Sequence, residues 1–283
     1  MGDLEVDTRV TGGDGRYTAE LDSSWEIWGP CGGYIAAVLL RAAGAHSDFP
    51  RPVSLTVQFL GVARFAPVDL HVETLQAGRR SQCVRVAMTQ EGRPISHAVV
   101  WATVAPDGPA GIEYDWSTRP ELAGPEELPT IDELTAEADR TNFAFWDNLE
   151  CRPIGWLDQH AWATARPLPP TLTNWYRFRP TPIFDDPFVE AARVAMLCDL
   201  MGWPSVVRAL TPGQDEAWMA PNLDVTVTFH QAPEASPFLL LDAESPVATG
   251  GTIGSCGRVW SEDGRLLATS IQQMLARPTP RPA

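Results

Sequence analysis

Two stretches of the chain repeat one pattern of apolar and polar residues. Each begins with an alternating run, 54–60 or 224–230, passes a proline, turns at a Gly-Arg pair and ends in a second apolar run. Alternation with a period of two predicts β-strands that bury one face. The spacing of equivalent residues is nearly constant, with Phe59 and Phe229 170 positions apart, Pro67 and Pro237 also 170, and Gly92 and Gly264 172. This spacing indicates an internal duplication.

One apolar helix precedes each repeat. Gly32-Gly33 opens a predicted helix over 34–43, in which Arg41 is the only charged residue, as expected for a helix enclosed on nearly all sides. The second helix has Asp186 at the N-cap, Pro187 at its first position, and a predicted end at Trp203, before a proline. Each repeat therefore predicts one buried helix followed by long strands.

These elements predict an α+β fold with a tandem organisation. The 283 residues, 44% of them apolar, suffice for a large core, and no apolar run approaches the ~20 residues of a membrane helix. The apolar face of a sheet must pack against another element, so we expect each sheet to wrap around its own helix. Pairing of the two sheet edges then gives one continuous sheet. We expect an N-terminal half over 1–105, a connector over 106–170 with a short helix at 131–138, and a C-terminal half over 171–283.

Composition excludes several classes of function. The net charge of −15 disfavours binding to nucleic acid or to anionic membranes. All 21 basic residues are arginine, which rules out Schiff-base lysines, pyridoxal phosphate anchoring and a P-loop. The five cysteines form no C-x-x-C pair and the five histidines no ligand spacing, so we expect free thiols, no metal site and no cofactor. The N-terminus lacks a secretory pattern, which predicts a cytoplasmic protein.

The order of several motifs resembles that of the TesB-like acyl-CoA thioesterases (acyl-CoA thioesterase II), which carry two hotdog folds in one polypeptide. The resemblance covers roughly 25–105 and 150–277 and depends on collinear motifs rather than on one signature. It implies a double hotdog, two antiparallel sheets each wrapped around a central helix. The matching motifs include Gly32-Gly33 before an alanine-rich helix, Glu73-Thr74-Leu75, the turn 90–95, Arg152-Pro153, Trp175 with Arg177, Asp199-Leu200, Leu223-Asp224, Phe229-His230, Asp263-Gly264 and Gln272.

Asp199 is the first candidate for chemistry. Helical spacing places its carboxylate on the same apolar stripe as Ala192, Ala195 and Met196, where desolvation raises a carboxyl pKa toward that of a useful general base. The resemblance implies that Asp199 acts with Asn222 and Gln272, although the family has a hydroxyl residue where this chain has Asn222. The alternatives remain a structural cap or arginine partner for Asp199, a turn residue for Asn222, and a surface position for Gln272.

Thioester hydrolysis also needs donors for the carbonyl oxygen and contacts for the substrate's phosphates. No G-x-S-x-G elbow is present, which excludes an α/β-hydrolase. The first backbone N–H groups of the first helix, at Gly33 and Tyr34, are the candidate oxyanion donors, with close helix packing as the alternative explanation of the glycines. Arg79 and Arg80 are candidate ligands of coenzyme A, with ordinary solvated surface as their alternative.

The sequence thus predicts an acyl-CoA thioesterase that hydrolyses an acyl thioester to a free acid and CoA with a water activated by a carboxylate. The partner is acyl-CoA or another acyl thioester, without nucleic acid or membrane. Sheet edges in such folds favour a homo-oligomer. The alternative function is a non-hydrolytic double hotdog that binds acyl thioesters or acts as a scaffold, since Asn222 departs from the family pattern.

Overall fold

The computed structural model describes residues 1–104, 112–137 and 143–279. Seven α-helices are found in these segments: α1 Leu4–Asp7, α2 Gly32–His46, α3 Ile131–Leu134, α4 Gln159–Ala165, α5 Pro187–Leu200, α6 Gly202–Ala209 and α7 Gln214–Ala217. The strands of the same segments are β1 Thr11–Gly13, β2 Arg16–Glu20, β3 Arg51–Phe59, β4 Pro67–Ala77, β5 Ser81–Gln90, β6 Arg93–Thr103, β7 Leu149–Pro153, β8 Thr171–Phe178, β9 Trp218–Met219, β10 Asn222–Phe229, β11 Phe238–Thr249, β12 Thr252–Ser261, β13 Leu266–Leu275 and β14 Arg277–Pro278.

Twelve strands form one continuous antiparallel sheet, as the sequence predicts. Their order is β1-β2-β4-β5-β6-β3-β10-β13-β12-β11-β8-β7, while β9 and β14 pair separately. The two halves join where β3 pairs with β10. At this junction Thr56 lies opposite Thr226, its own equivalent 170 residues later, and their hydroxyl oxygens are 3.2 Å apart. A pseudo-twofold axis therefore passes through this pair of threonines, and it relates the halves of the duplicated chain.

Helices α2 and α5 lie side by side and antiparallel in the concave side of the sheet. At one end Gly33 packs so closely on α5 that an added Cβ would lie 2.9 Å from both Cα and the carbonyl oxygen of Met196. At the other end a Cβ on Gly44 would lie 2.5 Å from the ring of Phe188. Most residues of both helices are buried, because each helix has the sheet on one side and the other helix beside it.

The N-cap of α5 is formed as predicted, but its C-terminus is earlier than expected. The Asp186 carboxylate accepts the backbone N–H of Phe188 at 2.8 Å, and Pro187 occupies the first helical position. The predicted single helix to Trp203 is wrong, since α5 ends at Leu200 and α6 begins at Gly202. Pro204 lies in the first turn of α6, where its missing N–H has no helical acceptor to lose, so a new helix tolerates it.

The segment between the repeats packs on the outer face of the C-terminal half. Trp175 donates its indole N–H to the carbonyl of Ala123 at 3.0 Å, and the guanidinium of Arg119 lies 5.4 Å from the centre of the same ring system. The short helix predicted at 131–138 spans Ile131–Leu134 in the structure, and Ala138 falls outside the described residues. Within 106–170, β7 joins the sheet as the edge strand beside β8.

No helix among the described residues is long and apolar enough to cross a membrane. The same residues contain no group of three or more His, Cys, Asp or Glu side chains arranged to hold a metal ion.

The close contact of the two helices makes Gly33 sensitive to any side chain. Gly33→Ala places its methyl group against backbone atoms of Met196, which cannot rotate away, so the helices must separate. We expect a loss of about 1–3 kcal/mol in the free energy of unfolding, measured by urea denaturation. The matched control is Gly254→Ala on β12, where an added Cβ meets no atom within 4 Å. An equal loss in the two variants would contradict this account of the packing.

Candidate active site

Asp199 lies in the last turn of α5 and faces the first turn of α2. Its residue surface is only 8% exposed, although it is charged in its ordinary state. A Cβ on Gly32 would lie 2.8 Å from Oδ2 of Asp199, so the absence of a side chain there makes room for the carboxylate. The helical periodicity of the sequence correctly places this side chain on the buried stripe. Asp199 has no arginine partner among the described residues.

Asn222, the first residue of β10, contacts this carboxylate directly. Its amide Nδ2 donates to Oδ1 of Asp199 at 2.6 Å and lies 3.4 Å from the backbone carbonyl of the same residue. Where the resemblance implies a hydroxyl residue, the amide of Asn222 thus also supplies a hydrogen-bond donor to Asp199. Asn222 is therefore more than a turn residue before β10.

Gln272 completes a cluster of three polar side chains. It lies on β13 with only 7% of its surface exposed, whereas its neighbour Gln273 is exposed. Its Oε1 accepts from Nδ2 of Asn222 at 3.3 Å. On the same strand face Ser270 and Ala268 are also buried. The structure thus brings together Asp199, Asn222 and Gln272, which lie on three separate elements.

The electrostatics of Asp199 suit proton transfer. Burial raises the pKa of its carboxyl from 3.8 to about 6, because the protein replaces the water that would solvate the charge. Hydrogen bonds from the Asn222 amide and from the Gly33 backbone N–H act in the opposite direction and lower the pKa. The balance leaves a group that is mostly ionised at neutral pH yet far more basic than an ordinary aspartate.

One of the two predicted oxyanion donors has a partner of its own in this structure. The Gly33 N–H donates to the Asp199 carboxylate, whereas the Cys31 side chain at the helix N-cap makes no capping hydrogen bond. The Tyr34 phenol points away from the cluster, where its hydroxyl donates to the carbonyl of Asp7 at 2.6 Å. Binding of a substrate oxygen to the Gly33 N–H therefore requires exchange of partners.

The cysteines near the cluster are unsuited to nucleophilic attack. Burial raises the pKa of both Cys31 and Cys198 to about 12, with the charge of Asp199 adding to the effect. Both thiols stay protonated at neutral pH, and a thiol is a far weaker nucleophile than a thiolate. Of Cys31, Cys198 and Asp199, the aspartate has the pKa that lies closest to neutrality.

The structure does not bring Arg79 and Arg80 to this cluster. Both are exposed in the turn between β4 and β5. The next residues of β5 contact the opposite end of α2, where the Gln82 side chain accepts from the hydroxyl of Ser47 at 3.1 Å. The 15 residues of α2 separate that end from Gly32, a length of about 20 Å.

Gly202 is a further residue of the site that sequence reasoning missed. It begins α6, and a Cβ at this position would lie 1.9 Å from Nε2 of Gln272. The Gln272 amide occupies the space that any side chain at 202 would need. The available signal was Gly202, two residues before Pro204, in a segment that otherwise reads as one helix. A glycine and a proline this close indicate a break between two helices.

The pseudo-twofold axis places no second polar cluster at the equivalent position. Counting from the first residue of each helix, Gly44 corresponds to Asp199, and sheet register makes Pro52 the equivalent of Asn222 and Val100 that of Gln272. The ring of Phe188 fills the space beside Gly44. The duplicated fold therefore holds these three side chains in one of its two related places.

Two family profiles together match most of the chain. Residues 21–103 match the profile of the acyl-CoA thioesterase N-terminal domain, and residues 125–276 match that of the acyl-CoA thioesterase C-terminal domain. Acyl-coenzyme A thioesterase 8 of Mus musculus is 27% identical over 76% of this chain and 69% of its own length. The Rattus norvegicus protein of the same name is 26% identical over 88% of this chain and 80% of its own.

Solved structures confirm the double hotdog fold. A protein of unknown function with a hot dog fold from Alicyclobacillus acidocaldarius superposes with a TM-score of 0.79 at 23% identity, covering 98% of each chain. An acyl-CoA thioesterase II from Mycobacterium marinum superposes with a TM-score of 0.77 at 22% identity, covering 98% of this chain and 99% of its own. At identities this low, the superpositions show that the proteins share a fold and nothing beyond the fold.

The raised pKa of Asp199 predicts a cost to stability. A carboxyl whose pKa is higher in the folded chain, about 6 against 3.8, destabilises the fold increasingly as pH rises from 3.8 to 6. Asp199→Asn removes the charge, so at about pH 7.5 we expect the variant to be more stable by ~3 kcal/mol, with the difference vanishing below about pH 4. Urea unfolding across this pH range measures both effects.

An Asp199→Asn variant less stable than the parent at neutral pH would instead identify the carboxylate as a stabilising cap. Asp69→Asn, at an exposed position on β4, is the matched control and should change the free energy of unfolding by no more than about 0.5 kcal/mol.

Proposed function

Because this chain belongs to the acyl-CoA thioesterase family, whose members are thioester hydrolases, we propose that it hydrolyses an acyl-CoA to a free acid and CoA with a water activated by Asp199. The observation that carries the proposal is the buried carboxylate of Asp199, raised in pKa to about 6 and held by the amide of Asn222 beside Gln272. A base of this strength accepts a proton from water near neutral pH more readily than an exposed aspartate does.

In the proposed reaction Asp199 removes a proton from water while the water oxygen forms a bond to the carbonyl carbon of the thioester. The carbon–sulfur bond of the tetrahedral intermediate then breaks, and the proton passes from Asp199 to the departing CoA sulfur. Asn222 and Gln272 hold the water and the carboxylate in one orientation, since each amide can both donate and accept. Fixing the water beside the base removes much of the entropy cost of their encounter.

We assign the oxyanion to the first turn of α2. The N–H of Gly33 donates to the charged carboxylate of Asp199 in the absence of substrate. When Asp199 takes up a proton it becomes a weaker acceptor, at the moment when negative charge develops on the carbonyl oxygen. The Gly33 N–H, and that of Tyr34 beside it, then become available to the oxyanion, with the positive end of the helix dipole behind them. A phosphate-binding role for Arg79 and Arg80 has no support from their position at the far end of α2.

A panel of short, medium, long and aromatic acyl-CoAs tests hydrolysis through CoA release. We expect turnover of at least one class, a decrease of kcat by at least ~10²-fold in Asp199→Asn, and a folded variant by circular dichroism. In the parent kcat/KM should rise with pH through an apparent pKa of about 6, because the deprotonated carboxylate is the active form.

Asp69→Asn serves as the control, with kinetics equal to those of the parent. Full activity of Asp199→Asn would exclude Asp199 as the base. Binding of acyl-CoA without turnover of any class would support the alternative, a non-hydrolytic acyl-thioester protein.

Gly202 supplies a test of Gln272 that leaves the glutamine in place. Gly202→Ala puts a methyl group 1.9 Å from the present position of Nε2 of Gln272, so the amide must move away from Asn222. We expect kcat to fall about 10- to 100-fold, as for small displacements of positioned groups. Gly254→Ala is the control, and kcat equal to that of the parent in both variants would remove Gln272 from the proposed mechanism.

A further inference from the structure

Two arginines share one tryptophan beside the C-terminal half of the sheet. The guanidinium carbon of Arg166, just after α4, lies 4.8 Å from the centre of the Trp162 ring, and that of Arg208 on α6 lies 5.9 Å from it. The carbonyl of Arg208 accepts the backbone N–H of Leu168 at 2.7 Å, which ties α6 to the segment after α4. Trp162, Arg166 and Arg208 are hereafter called the arginine–tryptophan cluster.

The cations of this cluster outnumber the carboxylates that neutralise them. Arg166 pairs with Asp215 at 2.9 Å, and its side chain is only 4% exposed, yet its buried Nε has no hydrogen-bond partner within the described ranges. Arg208 donates to the carbonyl of Pro169 at 3.4 Å and forms no ion pair with the acids of these ranges. A half-buried guanidinium without an anion is unexpected in a chain of net charge −15, which offers acidic partners in excess.

The cluster lies at the same end of the molecule as Asp199. Helix α6 begins at Gly202, which touches Gln272, and Arg208 follows six residues later, about 9 Å along the helix axis. In CoA the pantetheine arm separates the thioester from the phosphates. Groups that recognise the phosphates must therefore stand away from the reacting carbon but on the same side of the protein, as Arg208 does and Arg79 does not.

We propose that Arg208, supported by Trp162 and by the buried Arg166, binds a phosphate group of the CoA nucleotide. The planar guanidinium presents several N–H donors in a geometry that matches phosphate oxygens. The indole face fixes the orientation of the guanidinium groups before the ligand arrives, so less side-chain entropy is lost on binding. This inference rests on the proposed thioesterase function, because it assigns a part of the same substrate.

Arg208→Gln tests the proposal without leaving Asp215 unpaired. We expect KM for acyl-CoA to rise about tenfold with kcat within about twofold, since a charge-assisted contact is lost away from the reacting carbon. The N-acetylcysteamine thioester of the same acyl group lacks the phosphates, and its kinetics should not change. Arg208→Lys keeps the charge and should recover part of the affinity. Arg258→Gln, at an exposed position on β12, removes the same charge elsewhere and is the matched control.

Titration calorimetry with free CoA separates this inference from the proposed function. The parent should bind CoA about tenfold more tightly than Arg208→Gln, whether or not any thioester is hydrolysed. Equal affinity of the parent and the variant overturns the site, as does an equal loss on the acyl-CoA and the N-acetylcysteamine thioester. A higher KM in a variant lacking Arg79 and Arg80, with Arg208→Gln unchanged, would place the phosphates at the opposite end of α2. CoA binding at Arg208 without hydrolysis would refute the thioesterase and retain the site.

Discussion

The close antiparallel packing of α2 against α5 is the constraint from which the site follows. Glycines at 32 and 33 let the first turn of α2 approach the last turn of α5, and this approach encloses the Asp199 carboxylate. The enclosure raises the carboxyl pKa and also brings the Gly33 N–H within reach of the charge. One packing contact therefore sets both the basicity of Asp199 and the donor that moderates it. A larger residue at either glycine would separate the helices and return Asp199 toward the properties of an exposed aspartate.

The duplication explains why both halves belong to one chain. The pseudo-twofold axis at Thr56 and Thr226 relates two places where a helix N-terminus meets the C-terminal part of the other central helix. One place holds Asp199, and the other holds Gly44 against the ring of Phe188. The N-terminal half supplies the backbone of α2, and the C-terminal half supplies all three polar side chains. An aromatic ring at this second place, instead of another carboxylate, spares the chain the destabilisation that burial of a second charge would bring.

Repetition and periodicity predicted a tandem α+β fold with one continuous sheet, and the resemblance to the TesB-like family implied the double hotdog. The 170-residue spacing of Phe59 and Phe229 is also the spacing of Thr56 and Thr226, which lie opposite each other where β3 pairs with β10. The helical period correctly placed Asp199 on a buried face. Contacts between residues far apart in the sequence were harder to predict. Gly202 and Pro204 mark the break of the helix at Met201, but the contact between Gly202 and the Gln272 amide, 70 residues away in sequence, has no such local signal. Arg79 and Arg80 were chosen for charge alone, and charge does not reveal which end of a strand a turn occupies.

Asn222 is an amide at the position where the resemblance to the family implies a hydroxyl residue. A hydroxyl offers one donor that rotates freely, whereas an amide offers two donors and an acceptor in a fixed plane. In this chain one amide nitrogen reaches Oδ1 of Asp199 at 2.6 Å and Oε1 of Gln272 at 3.3 Å. The donor to Asp199 lowers the carboxyl pKa, so it offsets part of the effect of burial and favours the ionised carboxylate at neutral pH. The amide thus connects the carboxylate to Gln272 while it limits how far desolvation raises the pKa of Asp199.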